Sequence, residues 1–144
     1  MFVKQHILVG TVAASVVSWY ASPQAGLSLL AGSTLIDADH YFWYAAKFKD
    51  GSLHRAMKFF EAKEADHYYC LCVLHTIEAI AVYIAGVLMT HGTVFWVFAG
   101  CLLHMVFDVA QSLLDGGLLK RKWSLIRALF FRNVDPLQRK TENG

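Results

Sequence analysis

The sequence predicts an all-α protein: a four-transmembrane-helix bundle with two interfacial amphipathic helices, residues 1–144 forming a single integral membrane domain. Three observations predict it. Hydrophobic residues make up 56% of the chain and mean hydropathy is +0.41, above the roughly 45–50% apolar usage of ordinary soluble domains. Four apolar runs, residues 3–21, 25–46, 69–90 and 93–114, each come close to the ~20 residues that a spanning helix needs. All 13 Lys and Arg residues lie at one side of those runs.

The first run imitates a secretory signal, with Lys4, an apolar stretch and small residues near Ala21 and Ala25; it is expected to be retained as a helix. "SPQAG" separates the first two runs and "HG" the last two, so each pair is expected as a tight antiparallel hairpin. The middle connection is charged, yet Leu53, Ala56, Met57 and Phe60 recur at helical spacing, which predicts an interfacial helix over 52–64. Beyond Gly116 and Gly117, Leu119, Trp123, Ile126 and Phe130 form an apolar stripe opposite Lys120, Arg121, Lys122 and Arg127. That stripe predicts a second interfacial helix over 119–132.

Cytoplasmic loops are enriched in basic residues. Lys4 opens the first run, Lys47, Lys49, Arg55, Lys58 and Lys63 fall in the middle connection, and the other seven basic residues follow the fourth run. A multi-pass protein with both termini cytoplasmic is therefore expected. A net charge of +2 assigns these residues to anionic lipid head groups and gives no reason to expect nucleic acid.

Eight ionisable groups fall inside the runs: His6, Asp37, Asp39, His40, His75, Glu78, His104 and Asp108. At 1.5 Å rise per residue, His40, His75 and Asp108 lie ~10 Å in from the cytoplasmic side, and His6 belongs to the same half. A charge in hydrocarbon costs on the order of 2.5–3.5 kcal/mol even on the lenient insertion scale. A shared cation is the simplest compensation, since it neutralises carboxylates and takes neutral imidazole as a ligand. Spacing agrees: Asp37 with His40 and His75 with Glu78 are i, i+3, and His104 with Asp108 is i, i+4, so each pair shares a helix face. Asp39 is about 200° around from Asp37, so one of the two is expected to ligate while the other reaches a neighbouring helix or a second metal. Mixed His and carboxylate ligation suits one or two divalent ions of Zn, Mn or Fe. Cys70, Cys72 and Cys101 are expected to be apolar packing residues, and His54, His67 and His91 to be solvated.

These residues also carry a resemblance. "HILVG" at His6 resembles an H-x-x-x-G opening, "IDADH" at Ile36 to His40 a P-D-x-D-H segment, "LHT" at Leu74 to Thr76 an H-S element, and "GCLLHMVFD" at Gly100 to Asp108 a G-x-x-x-H-x-x-x-D ending. The chain thereby resembles, over roughly residues 6–115, the predicted inner-membrane metal-dependent hydrolases often called YdjM-like. Ile36 stands where that family usually has proline. The resemblance implies a prokaryotic inner-membrane hydrolase and nominates His6, Asp37, Asp39, His40, His75, His104 and Asp108; Glu78 is added from spacing alone.

The expectation is then a metal-dependent hydrolase with Asp37, His40, His75, His104 and Asp108 around the metal, His6 completing the set and Asp39 as general base. The substrate would be a lipid or phosphoester, its head group attracted by Arg55, Lys58 or Lys120. Three alternatives stay open. H-x-x-x-D at His104 and Asp108 also resembles the zinc site of cation-diffusion exporters, which allows a metal transport or sensing protein. His75 and His104 as axial ligands would make a haem b cytochrome. The chain could equally be an oligomer or an accessory subunit of a larger complex.

Overall fold

A computed structural model describes residues 3–62 and 72–114, with side chains from residue 6 onward. All regular structure among them is helical: α1 (Val3–Tyr20), α2 (Pro23–Leu35), α3 (Ala38–Phe48), α4 (Leu53–Glu61), α5 (Ile77–Met89) and α6 (Gly92–Leu114), with a 3₁₀ turn at Val73–His75 before α5. The interfacial helix expected over 119–132, and with it Cys70, His67, Lys63 and Lys120, lies outside the described residues.

The two hairpins form where the turn residues put them. Ser22 is extended and accepts the Ala25 N–H at 3.1 Å, with Pro23 at the first helical position; an N-cap hydroxyl followed by proline starts a helix abruptly. Only Thr90 and His91 separate α5 from α6. Gln24 Nε2 donates to Thr93 Oγ1 at 3.1 Å, which joins the beginnings of α2 and α6 and makes these two helices parallel. They pack at backbone contact. A Cβ on Gly32 would run into the Val97 carbonyl, and one on Gly100 into the Leu29 carbonyl; such small residues let apolar helices approach closely. Hydroxyls inside the helices bond back one turn, as Ser28 does to Gln24 O at 2.7 Å and Thr34 to Leu30 O at 2.8 Å, so they remain satisfied without water.

Two of the expected spans differ from continuous helices. The run over 25–46 breaks at Ile36–Asp37 into α2 and α3. Asp37 becomes the N-cap of α3, and its N–H reaches Thr34 O at 3.4 Å while His40 N–H reaches Asp37 O at 3.1 Å, a tightened i, i+3 pattern at the joint. Ser, Thr and Asp compete with the helix through their own side chains, and three of them crowd positions 33–37. Among the described residues of the run over 69–90, which are 72–90, the α-helix starts at Ile77, because extended Thr76 caps it, its hydroxyl accepting the Ala79 N–H at 3.3 Å. One helix among the described residues, α6, is long and apolar enough to cross a membrane; the apolar stretches His6–Tyr20 and Ile77–Met89 are shorter.

The helix expected over 52–64 exists as α4, N-capped by Ser52. Its Ala56 and Phe59 bury against Tyr44 of α3, flanked by Tyr41, Trp43 and Phe60, whereas Leu53 of the expected stripe is exposed. A second cluster of Ile36, Tyr83 and Met105 lies under the joint between α2 and α3.

Candidate metal centre

The break at Ile36–Asp37 builds the site. Asp37 N–H turns to Thr34 O, so the Ser33 carbonyl is left for α6, and His104 Nδ1 lies 2.7 Å from it. A carbonyl only accepts, so Nδ1 carries the proton and the Nε2 lone pair of His104 points into the bundle. Asp37 makes no side-chain cap bond; its Oδ1 instead lies 3.4 Å from His104 Nε2 and 3.4 Å from His75 Nε2.

His75 is oriented by the same logic. Its Nδ1 lies 3.2 Å from Asp39 Oδ2, which also accepts the Leu74 N–H at 2.9 Å. The Nδ1 proton therefore faces a carboxylate, and Nε2 faces His104 Nε2 at 3.2 Å. Tyr83 donates to the Leu74 carbonyl at 3.1 Å and clamps the 3₁₀ turn from the other side. Metal-ligating histidines almost always donate their second ring N–H to a carboxylate or carbonyl, and both of these do so.

Three donor atoms thus form a triangle with edges of 3.2, 3.4 and 3.4 Å. Ligands held 2.0–2.1 Å from a tetrahedral ion stand roughly 3.3–3.4 Å from one another. Asp108 Oδ2 adds a fourth direction, 4.0 Å from His75 Nε2. The other oxygen of Asp108 is 3.0 Å from His6 Nε2, and the His6 ring stacks on His104 with centroids 3.9 Å apart. His6, His75, His104 and Asp108 are buried, whereas Asp37, Asp39 and His40 are partly exposed at one end of the cluster.

These buried His and Asp groups could hold a metal ion. Four sets of donors lie within 4.8 Å of one another: His6, Asp37 and His104; Asp37, His40 and His75; Asp39, His40 and Cys72; and His75, His104 and Asp108. Seven of the eight residues expected from the sequence are therefore brought together. Glu78 belongs to none of the four sets; it sits in the first turn of α5, where a carboxylate favours the helix dipole. Its expected pairing with His75 assumed one helix through both, and the cap at Thr76 separates them.

Asp39 turns both oxygens toward imidazole nitrogens, Oδ2 as above and Oδ1 at 2.8 Å from His40 Nδ1, a geometry suited to orienting imidazoles. Asp37 and Asp39 divide their roles as their spacing suggests: Asp37 Oδ1 faces the two Nε2 atoms, while Asp39 reaches the neighbouring element at Leu74 and His75. Two participants escaped sequence reasoning. Ser33 acts through its backbone, which no side-chain pattern reveals. Cys72 reads as an apolar packing residue because the thiols of a C-x-C pair on a helix diverge, although its i, i+3 spacing to His75 is in plain view. Cys101 does pack as expected, its thiol 3.5 Å from Gly32 O.

Outside the centre, Arg55 forks onto Asp50, with Nε at 2.6 Å and Nη2 at 2.7 Å, and Ser52 N–H and Tyr44 OH also reach that carboxylate. The guanidinium holds the Asp50 carboxyl well below its ordinary 3.8, helped by the Ser52 N–H. Arg55 and Lys58 line an open cleft of about 540 Å³ with Tyr44, Phe59, Glu61 and Ala62.

No family model, curated protein or solved structure matches this chain.

Proposed function

We propose that this protein is a membrane-embedded metal-dependent hydrolase, with a divalent ion held by Asp37, His75, His104 and Asp108 in the cytoplasmic half of the bilayer. The observation that carries the reading is the meeting of His75 Nε2 and His104 Nε2 at 3.2 Å, each ring held from behind through its Nδ1, with Asp37 Oδ1 3.4 Å from both. A cation among these two nitrogens and the carboxylate oxygen would take all three as ligands. The 3.2 Å gap leaves no space for a macrocycle between the nitrogens, which favours a single ion over haem.

The membrane assignment draws on exposed apolar surface. Only 22% of the most apolar window of α6 is buried, unlike the core helix of a water-soluble domain, and Trp19, Leu88 and Leu114 are at least 76% exposed. Apolar surface on that scale asks for a partner, and lipid is one that fits every side of a bundle. In this reading α1, α2 with α3, α5 and α6 supply four passes, α4 lies at the interface, and the basic residues keep both termini cytoplasmic. The inner membrane and the family that the motifs resemble belong to the same proposal.

Bound there, Zn, Mn or Fe supplies Lewis acidity and a water acidified toward neutrality. The chain's own residues do the rest. Ser33 O and Asp39 hold the two imidazoles in their ligating tautomers, and His6 steadies Asp108. Asp37, at the exposed end of the triangle, faces the entering substrate. A phosphoester or lipid is the substrate class, its polar head directed to the cleft where Lys58 lies and its chains left in hydrocarbon. The outward halves "VFWVFAG" and "AVYIAGVLM" carry no Asp, Glu, His, Lys or Arg, which favours a closed centre over a transport path.

Metal analysis and phosphoesterase assay of the detergent-purified chain, wild type beside His104→Ala, test the proposal. Loss of metal and hydrolysis together is expected. Stoichiometric metal retained in His104→Ala refutes the ligand set, and metal flux in proteoliposomes without hydrolysis refutes the reaction.

A further inference from the structure

We infer that Asp39, His40 and Cys72 form a second cation site at the mouth of the centre, with a thiolate ligand that the inner site lacks. Donor atoms of these three residues lie within 4.8 Å of one another. They come from two elements that are fastened together: Asp39 and His40 open α3, and Cys72 immediately precedes the 3₁₀ turn whose Leu74 N–H bonds Asp39 Oδ2 at 2.9 Å. His75 N–H closes that turn onto Cys72 O at 3.1 Å. Cys72 is the extended residue from which that turn starts, so the turn and its bond to Asp39 hold Cys72 beside the opening of α3.

Asp39 divides its carboxylate between the two sites. Oδ2 orients His75 toward the inner ion, and Oδ1 is turned to His40 at 2.8 Å. The His40 ring is wedged edge-on between Phe60, at 5.1 Å, and His75, at 4.4 Å, which limits its rotation. Side-chain exposure is 22% at His40 and 14% at Asp39, against 0% at His104, so a ligand from outside reaches the outer site first. Three protein ligands with an accessible fourth direction is the pattern of zinc sites that bind a water or a substrate atom. Thiolate selects Zn or Co over Mn and Mg, so the two sites differ in preference. Binding releases the Cys72 thiol proton to solvent.

The inference goes beyond the proposed hydrolysis and does not depend on it. Cobalt(II) is the probe. Added to the chelator-treated, detergent-purified full-length chain, it should give visible ligand-field bands and also a thiolate-to-cobalt charge-transfer band in the near ultraviolet. Cys72→Ser should abolish the ultraviolet band and keep the visible ones; Cys101→Ser should keep both. In wild type, Zn should protect Cys72 from alkylation, read by peptide mass spectrometry without any variant. An ultraviolet band that survives in Cys72→Ser, or alkylation of Cys72 unaffected by Zn, overturns the outer site. Visible bands in wild type without the ultraviolet band overturn it and leave the inner site standing, while absence of both in a folded chain overturns both.

Discussion

Gly100→Ala tests whether helix packing sets the metal geometry. A Cβ at Gly100 would stand 2.9 Å from Ser33 N and 3.0 Å from Leu29 C, besides overlapping the Leu29 carbonyl oxygen. Restoring ordinary contact with the Leu29 carbonyl oxygen moves α2 away from α6 by about 1 Å, since such contacts settle near 3.5 Å. Overpacking of that kind costs about 1–3 kcal/mol. The same displacement stretches the 2.7 Å bond from His104 Nδ1 to Ser33 O past the optimum and shifts His104 Nε2 relative to Asp37. Loss of such a supporting bond typically weakens metal binding by about 10–100-fold, or roughly 1.4–2.7 kcal/mol. Thermal unfolding in detergent reads the first effect, and competition with a chromogenic chelator reads the second. Gly51→Ala, with only the Tyr41 hydroxyl within 4 Å, is the control and should change neither. A Gly100→Ala protein that binds metal as tightly as wild type would refute the coupling.

Three further outcomes follow from the geometry. Asp39→Asn should weaken metal binding by about 10–100-fold by the same chelator competition, whereas Glu78→Gln, outside every donor set, should leave it unchanged; equal effects of the two would sink the site assignment. Arg55→Ala should raise the Asp50 carboxyl toward 3.8, followed by carboxyl NMR. Because the folded value is depressed, the pairing contributes above pH 3.8 and is lost as pH falls through the folded value; accordingly, amide exchange at the start of α4 should quicken in acid in wild type, and at neutral pH in the variant. Ser22→Ala removes the N-cap of α2 and should lower stability by about 1 kcal/mol in thermal unfolding.

Much of the centre was legible because its parts are costly in an apolar chain. Carboxylates and imidazoles at one depth of four runs announced themselves, and the spacing of His104 and Asp108 on α6 was right because that helix is unbroken. The same spacing argument misled at Glu78, where it took a run of apolar residues for one continuous helix. The signals against continuity were local. Asp37 stands before a first turn that carries Asp39, and Thr76 before Ile77 is a capping residue, yet hydrophobicity averaged over twenty residues smooths such joints away. Arg55 was expected to greet a head group, and nothing in composition could show that Asp50 takes its guanidinium. The Ser33 carbonyl carries no residue-type signature at all.

The interruption at Ile36–Asp37 also fixes the register of α6. Two carbonyls near the end of α2 are met by α6 side chains, Gly32 O by the Cys101 thiol and Ser33 O by His104. Inserting one residue between Gly92 and Gly100 would turn everything beyond it by about 100° relative to the hairpin, emptying both acceptors in one stroke. Length in that stretch is therefore expected to be held fixed in any descendant that keeps the centre, even where side chains facing away from α2 drift freely.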